Sequence, residues 1–337
     1  MKSSRRLNVE LSVDYYDRRI GNRWEELRGR YRGLRRGLSS AELLTEEGVA
    51  GLSDGEAELF AGIGRQSLHF LSMFVLGYDR LTPPTGSHGE LCKVLQQDFD
   101  KPTFLMGHRS FFKSTIGAIC RPLFGVVNDP WRYDHIHVVD DQALGLRQLN
   151  AVAGHISGDN PRFNRLYPEI QPKKGEWSPR QDGTCTVSLR PSTQTGCTFE
   201  LRTTRQGMAG RHVRDFTLDD WVTETNCDSS FEQERLWEKF VKQWPSIDTD
   251  NLLICGTPYT NYDCWTRVLK YYYPDELRVL LYPIRGTAHI DEECRVRFTD
   301  TPHGEPHRYA NPFEWDDRRY DREKRKMSPF PAFFELQ

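Results

Sequence analysis

Long apolar runs are missing from this chain of 337 residues, and none approaches the roughly 18 residues that a membrane-crossing helix needs. The N-terminal segment MKSSRRLNVELSVDYYDRR has basic residues but no apolar core behind them, so it is not typical of a secretory signal. Paired cysteine spacing is missing as well, because the 8 cysteines are scattered singly, unlike those of a zinc site or a disulfide scaffold. We therefore expect a soluble, cytoplasmic protein with reduced and mostly buried thiols.

An excess of positive charge is also missing. The net charge of −2 argues against a uniformly basic nucleic-acid coat, because phosphate neutralisation needs clustered Lys and Arg. One local basic cluster, GRYRGLRRG at 29–37, is followed by an acidic stretch at 42–58 that contains no basic residue. Either a solvated helical face or a contact with DNA or a partner explains this pattern.

The order of apolar and polar segments divides the chain into three parts. Residues 1–65 are rich in Arg, Glu and Leu and predict a helical N-terminal appendage. Residues 66–285 alternate between strands and helices, which predicts an α/β domain with a mainly parallel sheet flanked by helices. Residues 286–337 are strongly charged and predict a linker subdomain with a mixed-charge helix at 316–326. The predicted strands of the middle part are 102–106, 135–139, 184–189, 198–203, 213–218 and 251–255, and its predicted helices are 114–124, 142–156 and 230–243.

The segment LMGHRSFFKSTIGAI follows the first strand of the middle part. Gly107, Lys113 and Ser114 match the first Gly, the Lys and the hydroxyl residue of a G-x-x-x-x-G-K-[ST] phosphate-binding loop. Phe112 stands where the second Gly is expected, so taken alone the segment also fits an ordinary helix start. We expect Phe112 to keep to a backbone conformation open to non-glycine residues, which makes the loop differ from the Gly-rich form.

Carboxylates follow a later strand, in the segment VRDFTLDDWVTE. Asp219 and Asp220 fit the pair in which the first residue binds Mg²⁺ and the second polarises the attacking water. Glu is the more usual second residue, so Glu224 on the same loop is a rival for the base. An acidic pair after a strand is also common in plain turns.

A third segment, LLICGTPYTNYDCW, places Gly256, Thr257 and Pro258 after a strand. Such a tripeptide is by itself an ordinary turn. All three segments, however, follow the carboxyl ends of predicted strands, where α/β folds bind their ligands. His135 and His137 alternate on another strand, but no third ligand is evident, so we interpret them as sheet residues.

Taken in order, these segments resemble a family. FLSMFVLGYDRLTPPTGSHGELCKVLQ, HRSFFKST, DNPRFNRLYPE, AGRHVRDFTLDDWVTE and ICGTPYTNYD are similar to the ATPase part of the terminase large subunit of tailed phages, over residues 70–283. The resemblance implies an additional-strand P-loop ATPase that uses ATP and Mg²⁺ and drives double-stranded DNA into a procapsid.

The resemblance also implies roles for single residues. Ser114 and Asp219 would bind Mg²⁺, Arg109 would sense the γ-phosphate, Asp220 or Glu224 would be the base, and Thr257 would couple hydrolysis to movement. A neighbouring subunit would supply an arginine, for which we choose Arg211 and keep Arg205 in reserve. The whole nucleotide-binding loop would comprise Gly107, His108, Arg109, Ser110, Phe111, Phe112, Lys113, Ser114 and Thr115.

The expected partners are double-stranded DNA, the portal protein, the terminase small subunit and further copies of the chain in a pentameric ring. The expected location is the bacterial host cytoplasm, transiently on the procapsid portal. In the family a nuclease domain with a two-metal site follows the ATPase. Because SPFPAFFELQ at 328–337 resembles the segment before that nuclease, we expect no DNA cleavage by this chain, whether through truncation or a split gene.

Two other functions remain open from sequence. A non-catalytic assembly or DNA-binding protein with a degenerate P-loop is favoured by Phe112 and by Asp220 in place of Glu. Another nucleic-acid ATPase, such as a helicase, would share the first two motifs, but no further helicase motif follows residue 258.

Overall fold

The computed structural model describes residues 2–207, 212–243, 247–260, 263–300, 305, 308–312 and 315–324. The segment 328–337, which the sequence likens to a connector, lies outside this part. The strands are β1 Thr103–Gly107, β2 His135–Val139, β3 Pro172–Ser178, β4 Thr184–Val187, β5 Phe199–Thr203, β6 His212–Asp219, β7 Asp248–Gly256, β8 Arg278–Tyr282, β9 Thr287–Ile290 and β10 Val296–Thr299.

The helices are α1 Lys2–Asn22, α2 Trp24–Arg30, α3 Glu46–Ala50, α4 Asp54–Gln66, α5 Leu68–Phe70, α6 Ser87–Leu95, α7 Arg121–Asn128, α8 Gln142–Ile156, α9 Pro161–Leu166, α10 Glu224–Cys227, α11 Ser230–Gln243, α12 Cys264–Tyr272 and α13 Asp317–Lys324. Short 3₁₀ turns span Ser40–Leu44 and Arg109–Phe111, and π-helical turns span Leu71–Val75 and Thr115–Cys120. Within the described ranges, no helix is long and apolar enough to span a bilayer.

The chain forms two compact units. The first comprises Met1–Gln97, Ile119–Tyr133 and Leu149–Thr198, and the second comprises Asp98–Ala118, Asp134–Gln148 and Phe199–Gln337. The division of the sequence at residues 65 and 285 stays a prediction.

The first unit is largely helical and has an aromatic core. Tyr16 packs edge-on against Phe70 at 4.9 Å and against Phe74 at 5.7 Å between ring centroids. Helix α4 begins with a capping box, in which Ser53 and Glu56 satisfy each other's backbone N–H groups. Glu56 is buried and accepts from Arg35 at 2.6 Å, so the basic cluster at 29–37 is tied to the acidic stretch that follows it.

The second unit contains six parallel strands in the order β5-β2-β6-β7-β1-β8. Strand β7 therefore lies between β1, which precedes the predicted phosphate loop, and β6, which ends at Asp219. This intervening strand is the feature that the additional-strand class predicts, and the expected α/β fold with a mainly parallel sheet is confirmed.

Apolar side chains explain why helices cover this sheet. Phe104 of β1 lies 5.1 Å from Trp265 of α12, and Phe240 of α11 lies 6.2 Å from Trp265, measured between ring centroids. All three are at most 2% exposed. Because both faces of a parallel sheet are covered, its strands contain apolar runs, as VV at 138–139 in β2 and LLIC at 252–255 in β7 illustrate.

Most predicted elements agree with this structure to within three residues. Strand β2 and helices α8 and α11 have the predicted bounds, and the mixed-charge helix is α13. The strands β3, β8, β9 and β10 were not predicted, because they are polar or only half-buried. All eight cysteines are free and five of them are buried, as expected.

Candidate functional site: a helix start facing a buried carboxylate

Three neighbouring parallel strands end at one edge of the sheet and carry the three predicted segments. Met106 of β1 is in register with Gly256 of β7, and Cys255 is in register with Asp219 of β6. Because the strands run in the same direction, the segments that follow them meet at their carboxyl edge. The structure therefore brings together residues that lie more than 100 positions apart in the chain.

The loop after β1 is held in place by an aromatic side chain. Phe111 is fully buried and stacks on Tyr282 of β8, with ring centroids 4.3 Å apart and planes at 20°. A Cβ atom on Gly107 would lie 2.9 Å from the Phe111 ring. Gly107 is thus required by packing against Phe111, in addition to any role in admitting a phosphate.

Phe112 does not behave as the sequence led us to expect. Its φ of 57° and ψ of 23° lie in the left-handed region, which glycine enters far more easily than a residue with a Cβ atom. The expectation that Phe112 avoids the glycine-like conformation is therefore wrong. The position of the second Gly thus has a conformation that glycine adopts easily, and Phe112 adopts it at a steric cost.

Lys113 and Ser114 follow this turn at the start of a helix. Helical backbone begins at Lys113 and continues through the π-helical turn Thr115–Cys120 into α7. The first N–H groups of a helix lack intrahelical partners and favour anions. Lys113 is only 9% exposed, and its positive charge acts on the carboxyl group of Asp219.

The acidic end of β6 contacts this loop directly. The Ser114 hydroxyl donates to Oδ1 of Asp219 at 2.9 Å, and the Gln148 amide donates to Oδ2 at 2.8 Å. Asp219 is fully buried, and this burial raises the pKa of its carboxyl, while the Lys113 ammonium and the two side-chain hydrogen bonds lower it. The buried carboxylate and the loop predicted to bind phosphate are therefore in direct contact.

Asp220 and Glu224, the two candidates for the base, have different positions. Asp220 is half-exposed, has a φ of 47°, and its N–H donates to the Cys255 carbonyl at 3.2 Å. Asp tolerates this left-handed conformation better than most residues. Glu224 begins helix α10, and its side chain lies outside the described part of the structure. Both candidates therefore stay open.

The segment after β7 is held by close packing and by a helix cap. A Cβ atom on Gly256 would lie 2.6 Å from Nε1 of Trp265, so only glycine fits there. Thr257 is buried and Pro258 is half-buried. Asp263 caps α12 by accepting from the Thr266 N–H at 2.8 Å, and it also accepts from the Thr260 N–H at 3.0 Å. The segment after β7 is thus connected to the first turn of α12 through Asp263.

The three predicted arginines are less well defined. The backbone of Arg109 lies in the 3₁₀ turn of the loop, but its side chain is not among those described. Arg211 lies outside the described residues. Arg205 is exposed in the turn after β5.

The residues present suit a magnesium ion. Within the described ranges, no group of three or more His, Cys, Asp and Glu side chains could hold a metal. Mg²⁺, however, is usually bound by one or two protein oxygen ligands together with substrate phosphates and waters. The Ser114 hydroxyl and the Asp219 carboxylate, 2.9 Å apart, are such a pair.

Two residues of this site escaped the sequence analysis. Gln148 lies on α8 and contacts Asp219, while His137 was interpreted only as a sheet residue and in fact contacts Gln148 at 2.7 Å. Both are buried. A glutamine within a helix carries no motif, so only the position of α8 beside β6 reveals it.

No protein-family model matches the chain, and no curated protein matches it. Several solved structures are similar to it, and two of them are the following. The HK97 bacteriophage large terminase has 12% sequence identity and a TM-score of 0.40, over 70% of this chain and 46% of that one. A mutant of the ATPase domain of the Thermus phage P74-26 large terminase has 13% identity and a TM-score of 0.40, over 64% of this chain and 85% of that one. The chain thus spans about half the length of the HK97 protein.

Proposed function

We propose that this chain is an ATP-hydrolysing motor that moves double-stranded DNA into a procapsid through its portal. The observation that carries the ATPase part is the 2.9 Å hydrogen bond from Ser114, at the start of the loop helix, to the buried Asp219 at the end of β6. The motor part is supported by the order of the sequence segments over residues 70–283.

Three residues would bind the substrate. Lys113 would neutralise the β- and γ-phosphates, and the first N–H groups of the loop helix would donate to phosphate oxygens. Ser114 and Asp219 would hold Mg²⁺. When bound, this ion would neutralise charge on the phosphate oxygens. The glycine-like turn at Phe112 fits this use, because it directs the chain into the helix as a glycine would.

Hydrolysis would need a base and positive charge on the transferred phosphoryl group. Asp220 is better placed than Asp219 to meet water, since it is half-exposed. Glu224 remains the alternative base. Arg109 would act within the subunit, and Arg211, or else Arg205, would act from a neighbouring subunit of a ring. An arginine supplied in this way can raise the rate by about 10³ or more.

Movement would start at Gly256, Thr257 and Pro258. Because Asp263 connects the segment after them to the first turn of α12, a shift of this segment would be passed to that helix. The proposed partners are DNA, the portal, the small subunit and further copies of the chain, and the proposed location is the host cytoplasm.

The direct test is ATP turnover by the purified chain, with and without DNA and portal, in a matched pair of variants. Lys113→Met keeps the aliphatic stem but removes the charge, so turnover should fall about 100-fold or more. Lys242→Met removes an exposed lysine of α11 and should change nothing. Equal turnover in wild type and Lys113→Met would exclude a role of this loop in hydrolysis.

A second function is favoured by one observation. Phe112 has a bulky side chain on a left-handed backbone at the position where a phosphate loop has glycine, as expected if the loop no longer binds nucleotide closely. In that case the chain would be a non-catalytic assembly or DNA-binding protein. Absence of both ATP binding and turnover in the wild type would favour it.

A further inference from the structure

A chain of hydrogen bonds runs from β2 to the carboxylate at the end of β6. His137 of β2 contacts Oε1 of Gln148 through Nε2 at 2.7 Å, and Nε2 of Gln148 donates to Oδ2 of Asp219 at 2.8 Å. His137, Gln148 and Asp219 are 5%, 7% and 0% exposed. Because these polar groups are buried from water, each depends on its neighbour for a hydrogen-bond partner.

The chemistry of the three groups fixes the direction of this chain. An ionised carboxylate only accepts hydrogen bonds, so Gln148 must present its NH₂ group to Asp219. Its carbonyl oxygen then faces His137, which must donate from Nε2. His137 therefore carries a proton on Nε2, and because burial lowers the pKa of His137 to about 4, the ring is neutral near pH 7. Nδ1 of this ring has no hydrogen-bond partner in the described structure.

We infer that Gln148 and His137 are positioning residues that hold the plane of the Asp219 carboxylate for a divalent cation. The carboxyl torsion of an aspartate has broad minima, so a single hydrogen bond still allows the carboxylate plane to rotate. Ser114 holds Oδ1 and Gln148 holds Oδ2, while His137 prevents the Gln148 amide from turning over. The inference rests on the proposed function, because the cation is the one that would accompany ATP.

Four variants separate this role from general stability. Gln148→Leu keeps a side chain of similar size but removes both hydrogen bonds of the Gln148 amide. His137→Leu removes the donor that orients this amide. His137→Gln keeps a donor at the end of the side chain. His135→Leu is the matched control, because His135 is equally buried on β2 but contacts Thr217 at 3.0 Å instead.

The first measurement is binding of Mn²⁺ with a non-hydrolysable ATP analogue, followed by electron paramagnetic resonance. Loss of a group that orients a metal ligand typically weakens binding by about tenfold or more. We expect that loss in Gln148→Leu and His137→Leu, and affinity close to wild type in His137→Gln and His135→Leu. His137→Leu should add little in the Gln148→Leu background, because it acts through Gln148. An unchanged affinity in Gln148→Leu overturns the inference.

The second measurement needs no nucleotide. ¹⁵N NMR of labelled histidines, with the His137 signal assigned from its loss in His137→Gln, should show a proton on Nε2 in the wild type. A proton on Nδ1 overturns the inference even if both leucine variants fail to fold. If the wild type does not bind ATP while the Nε2 proton is found, the hydrogen-bond chain stands and the proposed function fails.

Discussion

Phe112 combines a bulky side chain with a left-handed backbone, which costs a residue with a Cβ atom about 1–2 kcal/mol. Phe112→Gly and Phe112→Ala both remove the ring, but only Gly removes the steric cost. After allowing for the greater freedom of glycine in the unfolded chain, we expect Phe112→Gly to be the more stable by about 1 kcal/mol. Urea unfolding of the two variants measures this difference, and equal stabilities would mean that Phe112 is not left-handed in solution.

Asp219 and Asp220 show how environment separates two adjacent carboxylates. Asp219 is fully buried beside Lys113 and accepts two side-chain hydrogen bonds, whereas Asp220 is half-exposed. Pairs of carboxylates placed in different environments can take different tasks. This contrast agrees with a metal-binding role for the first and a role near water for the second.

The helix after the phosphate loop lies close to β7 because Gly117 has no side chain. A Cβ atom there would lie 2.9 Å from Sγ of Cys255 and 2.9 Å from Cδ2 of Leu253. We expect Gly117→Ala to destabilise the protein by about 1–3 kcal/mol, since overpacking moves backbone or forces unfavourable rotamers. It should also weaken ATP binding, because Lys113 and Ser114 lie at the start of this helix.

The matched control for Gly117→Ala is Gly29→Ala. Gly29 lies within helix α2, and a Cβ atom there would meet nothing within 4 Å. Because Ala favours helices more than Gly does, this variant should gain up to about 1 kcal/mol. Thermal unfolding of both variants provides the comparison, and a stable Gly117→Ala would refute the close packing of this helix on β7.

The stability of the whole protein should depend on pH through histidines that are buried without charge. Burial lowers the pKa of His69 to about 4, and it lowers the pKa of His137 and His155 to about 4 as well. A free histidine titrates near 6.5, so below that pH the unfolded chain gains protons first. The contribution of these histidines to the free energy of unfolding is therefore fully present above pH 6.5. It is lost as the pH falls from 6.5 through 4.

His69→Gln tests this dependence in the first unit. Nε2 of His69 donates to the Thr82 carbonyl at 2.8 Å, and Nδ1 accepts from the Tyr16 hydroxyl at 3.1 Å. A second proton on Nδ1 would remove this acceptor and break the hydrogen bond from Tyr16. Between pH 7 and pH 5 the wild type should lose about 2 kcal/mol more stability than His69→Gln. His289→Gln, at an exposed histidine of β9, should behave as the wild type, and an equal loss in His69→Gln would contradict the prediction.

Local chemistry made several features of this chain predictable from sequence. Apolar runs bounded by turns predicted β1, β2, β6 and β7, and their alternation with helices predicted a parallel sheet. The rule that such sheets bind ligands at the carboxyl ends of their strands then singled out Lys113, Ser114 and Asp219. The predictions of the strands and of the parallel sheet succeed because strand period and helix period are set by neighbouring residues, and the roles of these three residues stay a prediction.

The tertiary structure alone decided the rest. Phe112 adopts the left-handed conformation beside Phe111, which stacks on Tyr282 far along the chain. Gln148 contacts Asp219 because α8 follows β2, which pairs with β6. Such contacts join side chains many residues apart, and no local pattern encodes them. The sequence thus placed the site at one edge of the sheet, and packing between distant segments selected the groups that hold its carboxylate.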